Sequence, residues 1–426
     1  MRILHLIHQY LPDKIGGTEL YTQTLARQQR QQGHHVAIFT PSLRPPIRGS
    51  LYQQEMAEEG IIYRVPLGEQ RDTAVFAATF RPLWSRPPLA LALADVLAAA
   101  APDLVHIQHL MGMPVGLASM LKQANLPYIV TLHDYWHLCA NAQLITNYGN
   151  QVCRGPNWWL NCAHCAVARA GQPRLRPLTP TLAPLFAYRE KRLRQVLSRA
   201  SGLIAPTQFT ANIHAQLGLN PENITVIPHG IAVPAHLPTT TRSTSNDRLH
   251  IGYIGGLSWQ KGVHVLIEAM NQLPAEQFRL TIYGDPTAFP AYVAQLQQSA
   301  RHPAIHFPGR LPHQQLWLAL SKLDVIVVPS LWYETASLIV QEAFAAGVPV
   351  IASDLGALKE RVEHGVDGYH FPPGNALVLA HYLQELQQSP ATRQRLQAGI
   401  KPVQTIQTHT AQVLAQYEKA LSVAGV

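Results

Sequence analysis

Two acidic residues, Glu334 and Glu342, stand eight positions apart in the segment SLWYETASLIVQEAFAAGVPVIAS. The apolar run at 324–329 predicts a buried strand, and the residues from Thr335 to Gly347 predict a helix that ends at the glycine. If the chain between the two acids is helical, a rise of about 1.5 Å per residue separates their carboxylates by about 12 Å. That separation suits a nucleotide sugar, whose transferred sugar and ribose are two hydroxyl-bearing rings about this far apart.

The start of the predicted helix completes this interpretation. Residues 335–338, which include Ser337 and Leu338, would form a first turn whose unpaired N–H groups and positive dipole end favour a diphosphate. Glu334 would then bind the sugar hydroxyls and Glu342 the ribose hydroxyls. The alternative is an ordinary strand–turn–helix unit with two solvated acids, because acidic residues are common at helix starts.

The segment resembles the E-x7-E signature of the retaining GT-B glycosyltransferases of family 4, also called glycosyl transferases group 1. The resemblance covers nearly the whole chain, since other motifs of the family occur in the family's order. They are GGTE (16–19), TLHD (131–134), IPHG (227–230), IGGLSWQKG (254–262), YGD (283–285), HFPGRL (306–311), VVPS (327–330) and EAFAAGVPVIASDLGALKERVEHGVDGYHF (342–371). The resemblance implies a retaining glycosyltransferase that uses a nucleotide-diphosphate sugar, a UDP- or GDP-sugar, as donor substrate without a catalytic metal.

Short apolar strands alternate with amphipathic segments, which predicts an α/β protein with parallel sheets. The predicted strands are 3–7, 36–39, 104–107, 128–132, 203–206, 225–228, 251–254, 280–283, 306–307, 324–329 and 348–352. Together with the resemblance, they imply the GT-B architecture. It consists of two Rossmann-like doubly wound domains facing each other across a cleft, with a C-terminal helix crossing back to the N-terminal domain.

The domain bounds follow from this pattern. We predict an N-terminal acceptor-binding domain at 1–234 with a cysteine-rich insertion at about 136–170, and a C-terminal nucleotide-sugar-binding domain at 249–404. The polar segment AHLPTTTRSTSND lacks apolar periodicity and predicts a linker at 235–248, and residues 405–426 form the returning helix. Doubly wound sheets bind ligands beyond the carboxyl ends of their strands, so the site is expected in the cleft between the domains.

The resemblance assigns further residues to the donor site. Lys261 lies in WQKG, where its ammonium can meet the diphosphate as charge builds on the leaving nucleotide, although a solvated surface Lys is the alternative. The family's pattern resembles G-R-L-x-x-x-K-G, and Gly256 replaces its customary Arg here. Either Lys261 with the helix start suffices, or another cation such as Arg310 substitutes. The implied donor-binding residues also include Gly309 and Leu311.

Two further features belong to the first domain. Gly16 and Gly17 precede a helix, and their backbone can approach a ligand and offer N–H groups to phosphate or sugar, although such a pair is more often a plain turn. His133 ends a predicted strand, so it projects from the carboxyl edge of the sheet. The resemblance implies that His133 contacts the transferred sugar and supports positive charge at its anomeric carbon. The predicted catalytic residues are thus Glu334, His133 and Lys261.

The four cysteines of the chain fall within 27 residues. They are Cys139, Cys153, Cys162 and Cys165, the last two as C-x2-C. Because a cytoplasmic enzyme keeps its thiols reduced, this clustering suggests a structural, tetrahedral Zn²⁺ site or an iron–sulfur site. The gaps of 13 and 8 residues do not match a standard zinc ribbon, so buried free thiols and a redox disulfide pair stay open.

Positive charge is concentrated in the first part of the chain. Residues 1–248 carry 22 Lys+Arg and 13 Asp+Glu, a net of +9, whereas residues 249–426 carry 11 and 12, a net of −1. Such a surplus predicts peripheral contact with anionic lipid headgroups or an anionic substrate, with a solvated helix face as the alternative. No nucleic-acid-binding motif accompanies it, so nucleic acid is not expected as a partner. The surplus lies in a basic stripe of Arg169, Arg174, Arg176, Arg189, Lys191, Arg192, Arg194 and Arg199.

The location of the protein is predicted from its apolar segments. No segment reaches the roughly 20 apolar residues that span a bilayer, and the start MRILHLIH predicts a buried strand and not a secretory signal. We therefore expect a cytoplasmic protein with peripheral contact to the inner face of the membrane. Its acceptor would be a glycan, a lipid-linked acceptor or a small molecule, in the synthesis of cell-surface polysaccharide or glycoconjugate.

Three functional classes fit these features. The first is a glycosyltransferase, the second is an epimerase or phosphorylase on the same scaffold, and the third is a non-catalytic protein that binds sugar nucleotides. The presence of Glu334, Glu342 and Lys261 argues against the third class. A screen of UDP- and GDP-sugars for hydrolysis separates a catalyst from a binding protein.

Overall fold

The structure is a computed structural model and describes residues 1–67, 75–238 and 248–425. Its contacts divide the chain into two compact units, which we call unit 1 (Met1–Gly230 with Ile406–Val426) and unit 2 (Ile231–Thr405). The linker that we predict at 235–248 falls mostly on residues 239–247, which lie outside the described residues.

The strands follow the apolar runs of the sequence. They are β1 (Arg2–Leu6), β2 (His35–Ser42), β3 (Gln53–Ala57), β4 (Gly60–Pro66), β5 (Leu104–Ile107), β6 (Tyr128–Thr131), β7 (Gly202–Ala205), β8 (Ile224–Val226), β9 (Leu249–Ile254), β10 (Phe278–Tyr283), β11 (Ile305–Gly309), β12 (Val325–Val328), β13 (Val350–Ser353) and β14 (Gly368–Phe371). Every predicted strand is found within a few residues of its predicted bounds.

Helices connect most of these strands, as expected for parallel pairs. They are α1 (Gly17–Gln31), α2 (Val75–Phe80), α3 (Pro87–Ala100), α4 (Gly116–Gln123), α5 (Leu160–Arg169), α6 (Thr179–Ser198), α7 (Gln208–Gln216), α8 (Val263–Met270), α9 (Pro290–Ser299), α10 (Leu316–Leu320), α11 (Leu338–Ala345), α12 (Ala357–Arg361), α13 (Ala376–Gln388), α14 (Pro390–Gly399) and α15 (Ile406–Ala424).

The sheet of unit 1 has the order β3-β4-β2-β1-β5-β6-β7-β8 and is parallel except where β3 pairs with β4. Alternate residues of β1 enter two different cores, as the period of two in a strand requires. Leu4 and Leu6 pack on the face that carries α3 and α4, whereas Ile3 packs on the face that carries α1 and α15. Both faces of β1 are therefore buried.

The sheet of unit 2 has the order β11-β10-β9-β12-β13-β14, and its paired strands are all parallel. The chain proceeds from β9 outward to β10 and β11, and then returns to the other side of β9 as β12. The strand order thus reverses between β9 and β12, which is the topological switch point where doubly wound sheets bind ligands.

Three strands, β3, β4 and β14, were absent from our prediction. The polar sequence of β3, QQEMA, lacks a strong apolar pattern because this strand is half-exposed at the edge of the sheet. Gly60 begins β4 with a φ of +127°, and a Cβ there would lie 2.0 Å from the carbonyl oxygen of Val36. A close backbone contact, which the sequence pattern does not reveal, therefore brings β4 against β2.

The C-terminal helix, α15, belongs to unit 1. Val413, Tyr417 and Ala420 of α15 are at most 2% exposed and pack in one core with Ile3 and Leu25. The chain thus leaves unit 1 after Gly230 and returns to it at Ile406.

Candidate functional site

The predicted donor-binding residues of unit 2 follow the carboxyl ends of its central strands. Gly256 and Lys261 come after β9, Glu334 comes after β12, and Gly309 is the last residue of β11. Because the paired strands are parallel, these ends lie along one edge of the sheet. Glu334 and Lys261 flank the switch point between β9 and β12, the place where a ligand is expected.

One carboxylate oxygen of Glu334 accepts three hydrogen bonds. Lys261 Nζ donates to Oε1 at 2.8 Å, Ser330 Oγ at 2.6 Å, and Trp332 Nε1 at 2.9 Å. The Lys261 ammonium also lies 5.0 Å from the centre of the Trp332 ring, within the range of a cation–π contact. Glu334 is 6% exposed, whereas the side chain of Lys261 is 29% exposed, so the carboxylate is buried and the ammonium keeps contact with solvent. The second oxygen, Oε2, makes no hydrogen bond within the described part of the chain.

These contacts keep Glu334 ionised. Burial alone would raise its pKa, but the charge and hydrogen bond of Lys261, with the bonds from Ser330 and Trp332, bring the pKa below its ordinary value of 4.5. Ser330 and Trp332 were absent from our predicted site. Both side chains donate to Glu334 Oε1 because of the course of the loop between β12 and α11. Their positions four and two residues before Glu334 could have identified them as candidates.

Lys261 is placed by a short 3-10 helix, Trp259–Lys261, directly before α8. Gly262 then adopts a φ of +70°, and a Cβ there would lie 1.8 Å from the carbonyl oxygen of Pro329. Only glycine lets the Lys261 segment approach the end of β12 so closely. The contact between these two backbone segments explains how an ion pair 73 residues apart in sequence is formed.

The helix after Glu334 begins later than we predict. Residues 335–337 are not helical, and α11 starts at Leu338 after Ser337, which adopts a left-handed conformation with φ 51° and ψ 78°. The predicted separation of about 12 Å between the two carboxylates assumed a continuous helix, and this assumption is wrong because residues 335–337 are not helical. The N-terminal end of α11 does follow Ser337, whose carbonyl accepts a hydrogen bond from Val340 N at 3.1 Å, and the N–H groups of a first helical turn lie there.

Glu342 lies within α11, and its carboxyl group makes no hydrogen bond or ion pair with the described residues. Burial raises its pKa from 4.5 to about 7, and no cationic group counteracts this effect. Glu342 is half-buried and not fully enclosed, so its carboxyl group lies in a partly dehydrated position that a ligand can still reach. The geometry is therefore suited to a ligand that brings hydroxyl donors to Glu342.

The remaining predicted donor-binding residues differ in exposure. Arg310 is exposed, and Leu311 is half-buried against the core of α10 and α11. Gly309 has a φ of +87°, which favours glycine, and its carbonyl accepts a hydrogen bond from Gly284 N at 3.0 Å. In addition, Tyr253 Oη donates to the carbonyl of Gly256 at 2.7 Å and fixes the first loop.

In unit 1 the predicted residues also follow strand ends. Gly16 caps α1 and Gly17 begins it, in the loop after β1, while His133 comes two residues after β6. The switch point of this sheet lies between β1 and β5, where the strand order reverses. His133 Nε2 contacts the side-chain oxygen of Gln108, after β5, at 2.8 Å. Gln108 was not among our predicted residues, since an isolated Gln carries no recognisable motif.

The structure brings the four cysteines to a single cavity of about 30 Å³. All four are free thiols, and Cys165 Sγ accepts hydrogen bonds from the backbone and side-chain nitrogens of Asn147 at 3.3 and 3.1 Å. Burial raises the pKa of Cys139, Cys162 and Cys165. Within residues 1–67, 75–238 and 248–425, no group of three or more His, Cys, Asp or Glu side chains is arranged to hold a metal ion. The predicted zinc geometry is therefore not formed in this structure.

The basic stripe lies on α5, α6 and the segment between them, but one predicted member is wrong. Arg189 is 2% exposed, and its guanidinium donates to the carbonyls of Thr79 at 3.0 Å and Trp136 at 3.2 Å. Arg194 is also engaged, because it pairs with Glu190. The exposed members are Arg169, Arg174, Arg176, Lys191 and Arg199. None of the helices in the described ranges is both long enough and apolar enough to cross a membrane.

Comparison with known protein families yields two matches. A family model described as Glycosyltransferase Family 4 matches residues 15–233, and one described as Glycosyl transferases group 1 matches residues 242–401. Glycogen synthase of Mycobacterium tuberculosis is 33% identical over 199 residues, covering 45% of this chain and 48% of that protein. The chain therefore spans about half the length of that relative. D-inositol 3-phosphate glycosyltransferase of Jonesia denitrificans is 26% identical over 447 residues, covering 96% of this chain and 93% of that protein.

Two solved structures resemble the chain over nearly its full length. Sucrose-phosphate synthase of Thermosynechococcus elongatus superimposes with a TM-score of 0.73 at 20% identity, covering 99% of this chain and 100% of that chain. HepE of Anabaena superimposes with a TM-score of 0.68 at 21% identity, covering 98% and 99%. At these identities the likeness shows the fold. Two parallel-sheet α/β units with such neighbours confirm the predicted GT-B fold.

Proposed function

Because the chain belongs to glycosyltransferase family 4, we propose that it transfers a sugar from a nucleotide-diphosphate sugar to a glycan or lipid-linked acceptor with retention of the anomeric configuration. The observation that carries this proposal is the buried carboxylate of Glu334. Lys261, Ser330 and Trp332 hold its Oε1 at the switch point of unit 2, while Oε2 makes no hydrogen bond with described residues. Such a carboxylate can accept hydrogen bonds from sugar hydroxyls.

The donor would bind to unit 2 with its sugar, its diphosphate and its ribose each next to a different group of residues. Glu334 accepts from the sugar hydroxyls, Lys261 and the start of α11 at Ser337 and Leu338 meet the diphosphate, and Glu342 accepts from the ribose hydroxyls. Gly256, Gly309 and Arg310 lie at neighbouring strand ends and are assigned to the same ligand, with Leu311. The structures of HepE with UDP, with UDP and glucose, and with UDP-glucose support a donor of this class.

The proposed chemistry relies on groups that stabilise charge. Lys261 lies near the proposed position of the diphosphate and neutralises the negative charge that grows on the leaving nucleotide. The departing phosphate takes the proton of the acceptor hydroxyl, and the acceptor oxygen forms its bond on the same face of the sugar that the phosphate leaves. His133 is assigned to the transferred sugar. No protein carboxylate attacks the anomeric carbon, in contrast to retaining glycosidases.

The proposal is tested with a panel of UDP- and GDP-sugars by measuring nucleotide release with and without a mixture of acceptors. Lys261→Ala and Glu334→Gln should each lower kcat at least about 10²-fold, because their interactions are strongest in the transition state. The matched control is the surface pair Lys401 and Glu363, which has the same charges at 2.6 Å with side chains 72% and 55% exposed. Lys401→Ala and Glu363→Gln should retain full activity. Fully active Lys261→Ala and Glu334→Gln variants would refute the assignment.

The basic stripe bears on where the enzyme would meet its acceptor. The same stretch of chain, 169–199, also carries the exposed apolar residues Leu178, Leu185 and Tyr188, which are 50%, 50% and 53% exposed. A surface that combines cationic and apolar groups suits the interface of an anionic membrane, and we assign it to peripheral contact at the inner face, where a lipid-linked acceptor resides. Arg189 takes no part in this surface because it is buried.

A structural Zn²⁺ held by the four cysteines remains a prediction. Their common cavity and the N–H donors to Cys165 support it, because metal thiolates commonly accept such hydrogen bonds. Zinc would require the four sulfurs to move to bond lengths of about 2.3 Å. Elemental analysis of protein purified without added metal decides the question. About one zinc per chain would support the site, whereas no metal and four titratable thiols would remove it.

A further inference from the structure

A small cavity of unit 1 is lined by residues of α4 and α6 and has a volume of about 10 Å³. Four of its side chains can donate hydrogen bonds, and two of these are guanidinium groups. They are Ser119, Arg192, Gln195 and Arg199. None of these four side chains makes a hydrogen bond or an ion pair with any other residue that the structure describes.

The rest of the cavity wall carries no negative charge. Among the described residues that line the cavity, none is acidic. The hydroxyl of Tyr128, at the start of β6, is already used, because it donates to the carbonyl of Val196 at 2.7 Å. The cavity therefore presents two positive charges and two neutral donors without a negative protein group, which is the arrangement that suits a bound anion.

The spacing of the two arginines allows both to reach one ligand. Arg192 lies in α6 and Arg199 follows its last residue, so seven positions separate them, or about 10 Å along the helix axis. Residues seven apart lie on the same face of a helix, and Gln195 lies between them on that face. Two long guanidinium side chains can therefore converge on a group held at the cavity mouth.

The size and charge of the cavity favour a phosphomonoester. A volume of about 10 Å³ accommodates one atom the size of a water oxygen and no sugar ring or nucleobase. A phosphate group can insert one oxygen and keep its other oxygens at the mouth, where guanidinium groups bind them in pairs. A phosphomonoester carries a charge of about −1.5 to −2 at pH 7, which matches two arginines better than the single charge of a phosphodiester does.

Exposed apolar residues on the same helix favour a lipid as the source of this phosphate. Leu185 and Tyr188 of α6 are 50% and 53% exposed. Positions 185, 188, 192, 195 and 199 recur every three or four residues, which places all five on one face of the helix. This face thus continues from the arginines to apolar side chains, as a lipid continues from its phosphate to apolar chains.

We propose that Arg192 and Arg199 bind the phosphomonoester headgroup of an anionic membrane lipid, with Ser119 and Gln195 as additional hydrogen-bond donors. The inference rests on the proposed function in one respect, namely the peripheral contact of the basic stripe with a membrane. It adds a specific ligand to that contact and separates Arg192 and Arg199 from the other arginines of the stripe, which attract any anionic surface. It does not depend on sugar transfer.

The test is co-sedimentation of the full-length protein with two kinds of phosphatidylcholine vesicles, without nucleotide sugar. One kind contains phosphatidic acid, a phosphomonoester, and the other contains phosphatidylglycerol, a phosphodiester, in amounts that give equal surface charge. We expect at least about fivefold stronger binding to the vesicles with phosphatidic acid. The double variant Arg192→Gln/Arg199→Gln should lose this preference. The matched control Arg174→Gln/Arg176→Gln removes the same charge from exposed residues outside the cavity, so it should weaken binding to both kinds equally and keep the preference.

The outcomes separate this inference from the proposed function. Equal binding of the wild-type protein to both kinds of vesicles would overturn the phosphate site, although the general contact of the basic stripe would stand. A preference that survives in Arg192→Gln/Arg199→Gln would overturn it as well.

Calorimetry with glycerol 3-phosphate distinguishes a lipid from a soluble ligand, because this compound has the same phosphomonoester without apolar chains. We expect no saturable binding below about 1 mM. Tighter binding that the double variant abolishes would show that the site takes a soluble phosphate ester, and the assignment to a lipid would be wrong. A protein that transfers no sugar would contradict the proposed function and leave these binding results unchanged.

Discussion

Replacement of Glu342 by glutamine should make the protein more stable at alkaline pH. Burial raises the pKa of this carboxyl group from 4.5 to about 7. The folded protein therefore keeps the proton up to about pH 7, whereas the unfolded chain releases it near pH 4.5. Between these values the folded state binds more protons than the unfolded state, so stability falls as pH rises through this window. The loss is complete above about pH 7.

The size of the expected difference in stability follows from the shift in the pKa of Glu342. One pH unit corresponds to about 1.4 kcal/mol, so the difference between 4.5 and about 7 amounts to about 3 kcal/mol. Glu342→Gln has no proton to lose and a similar shape. We therefore expect the variant to match the wild-type protein at pH 4.5 and to exceed its free energy of unfolding by up to about 3 kcal/mol at pH 8.

The assay consists of urea titrations of both proteins at several pH values between 4.5 and 8. Only the difference between the two proteins is interpreted, because the other titrating groups are common to both. Ligand binding supplies a second measurement. Ribose hydroxyls favour the ionised carboxylate, so binding of a UDP- or GDP-sugar near pH 6 should release up to about one proton in the wild-type protein and none from this position in the variant. Calorimetry in buffers of different ionisation enthalpy detects this release. A difference in stability that is independent of pH would refute the reasoning.

Further predictions concern four other positions or surfaces. Gly262→Ala should destabilise unit 2 by more than about 3 kcal/mol, because its Cβ would lie 1.8 Å from Pro329 O at a φ of +70°; normal urea unfolding would contradict this. Ser337→Gly should stabilise the start of α11 by up to about 1 kcal/mol, since φ there is 51°, and a loss of stability in the same titration would count against it. The double variant Arg174→Glu/Arg176→Glu should bind anionic vesicles less strongly, by about 1 kcal/mol per charge, as measured by co-sedimentation. The control double variant Arg279→Glu/Arg301→Glu, on unit 2, should bind the vesicles as the wild-type protein does. In the folded protein, Cys139, Cys162 and Cys165 should react slowly with thiol reagents, because burial raises the pKa of each; rapid modification at pH 7 would contradict this.

Local apolar patterns were sufficient to predict most strands. The assignment of Glu334 and Lys261 to the donor site, which came from their motifs, stays a prediction, although the structure joins the two side chains in an ion pair. Apolar runs bounded by glycine and polar residues identify buried strands because both faces of a parallel sheet are covered. The burial of Arg189 was also accessible from the sequence. It lies three residues after Phe186 and four before Leu193, both of which are buried, so helical periodicity places it on the core face of α6.

Other features could not be predicted from local patterns because they depend on distant contacts. Gln29 donates a hydrogen bond to Tyr417, 388 residues away in sequence, and neither belongs to a recognisable motif. The left-handed conformation of Ser337 shortens the predicted helix, and serine has no strong preference for that conformation. The convergence of Ser330 and Trp332 on one oxygen of Glu334 likewise results from the course of a loop, which alternation of apolar residues does not specify.

The return of α15 to unit 1 has a consequence for the way the protein is made. A ribosome synthesises residues 1–230 first, but the helix that covers one face of their sheet is added only with residues 406–424. Unit 2 is therefore complete on the nascent chain before unit 1 is, in contrast to the usual order in which the N-terminal domain folds first. Until residues 406–424 have been synthesised, Ile3 and Leu25 lack their partners Val413 and Tyr417. Nascent chains should thus expose this apolar face, which makes it a natural target for chaperones during synthesis.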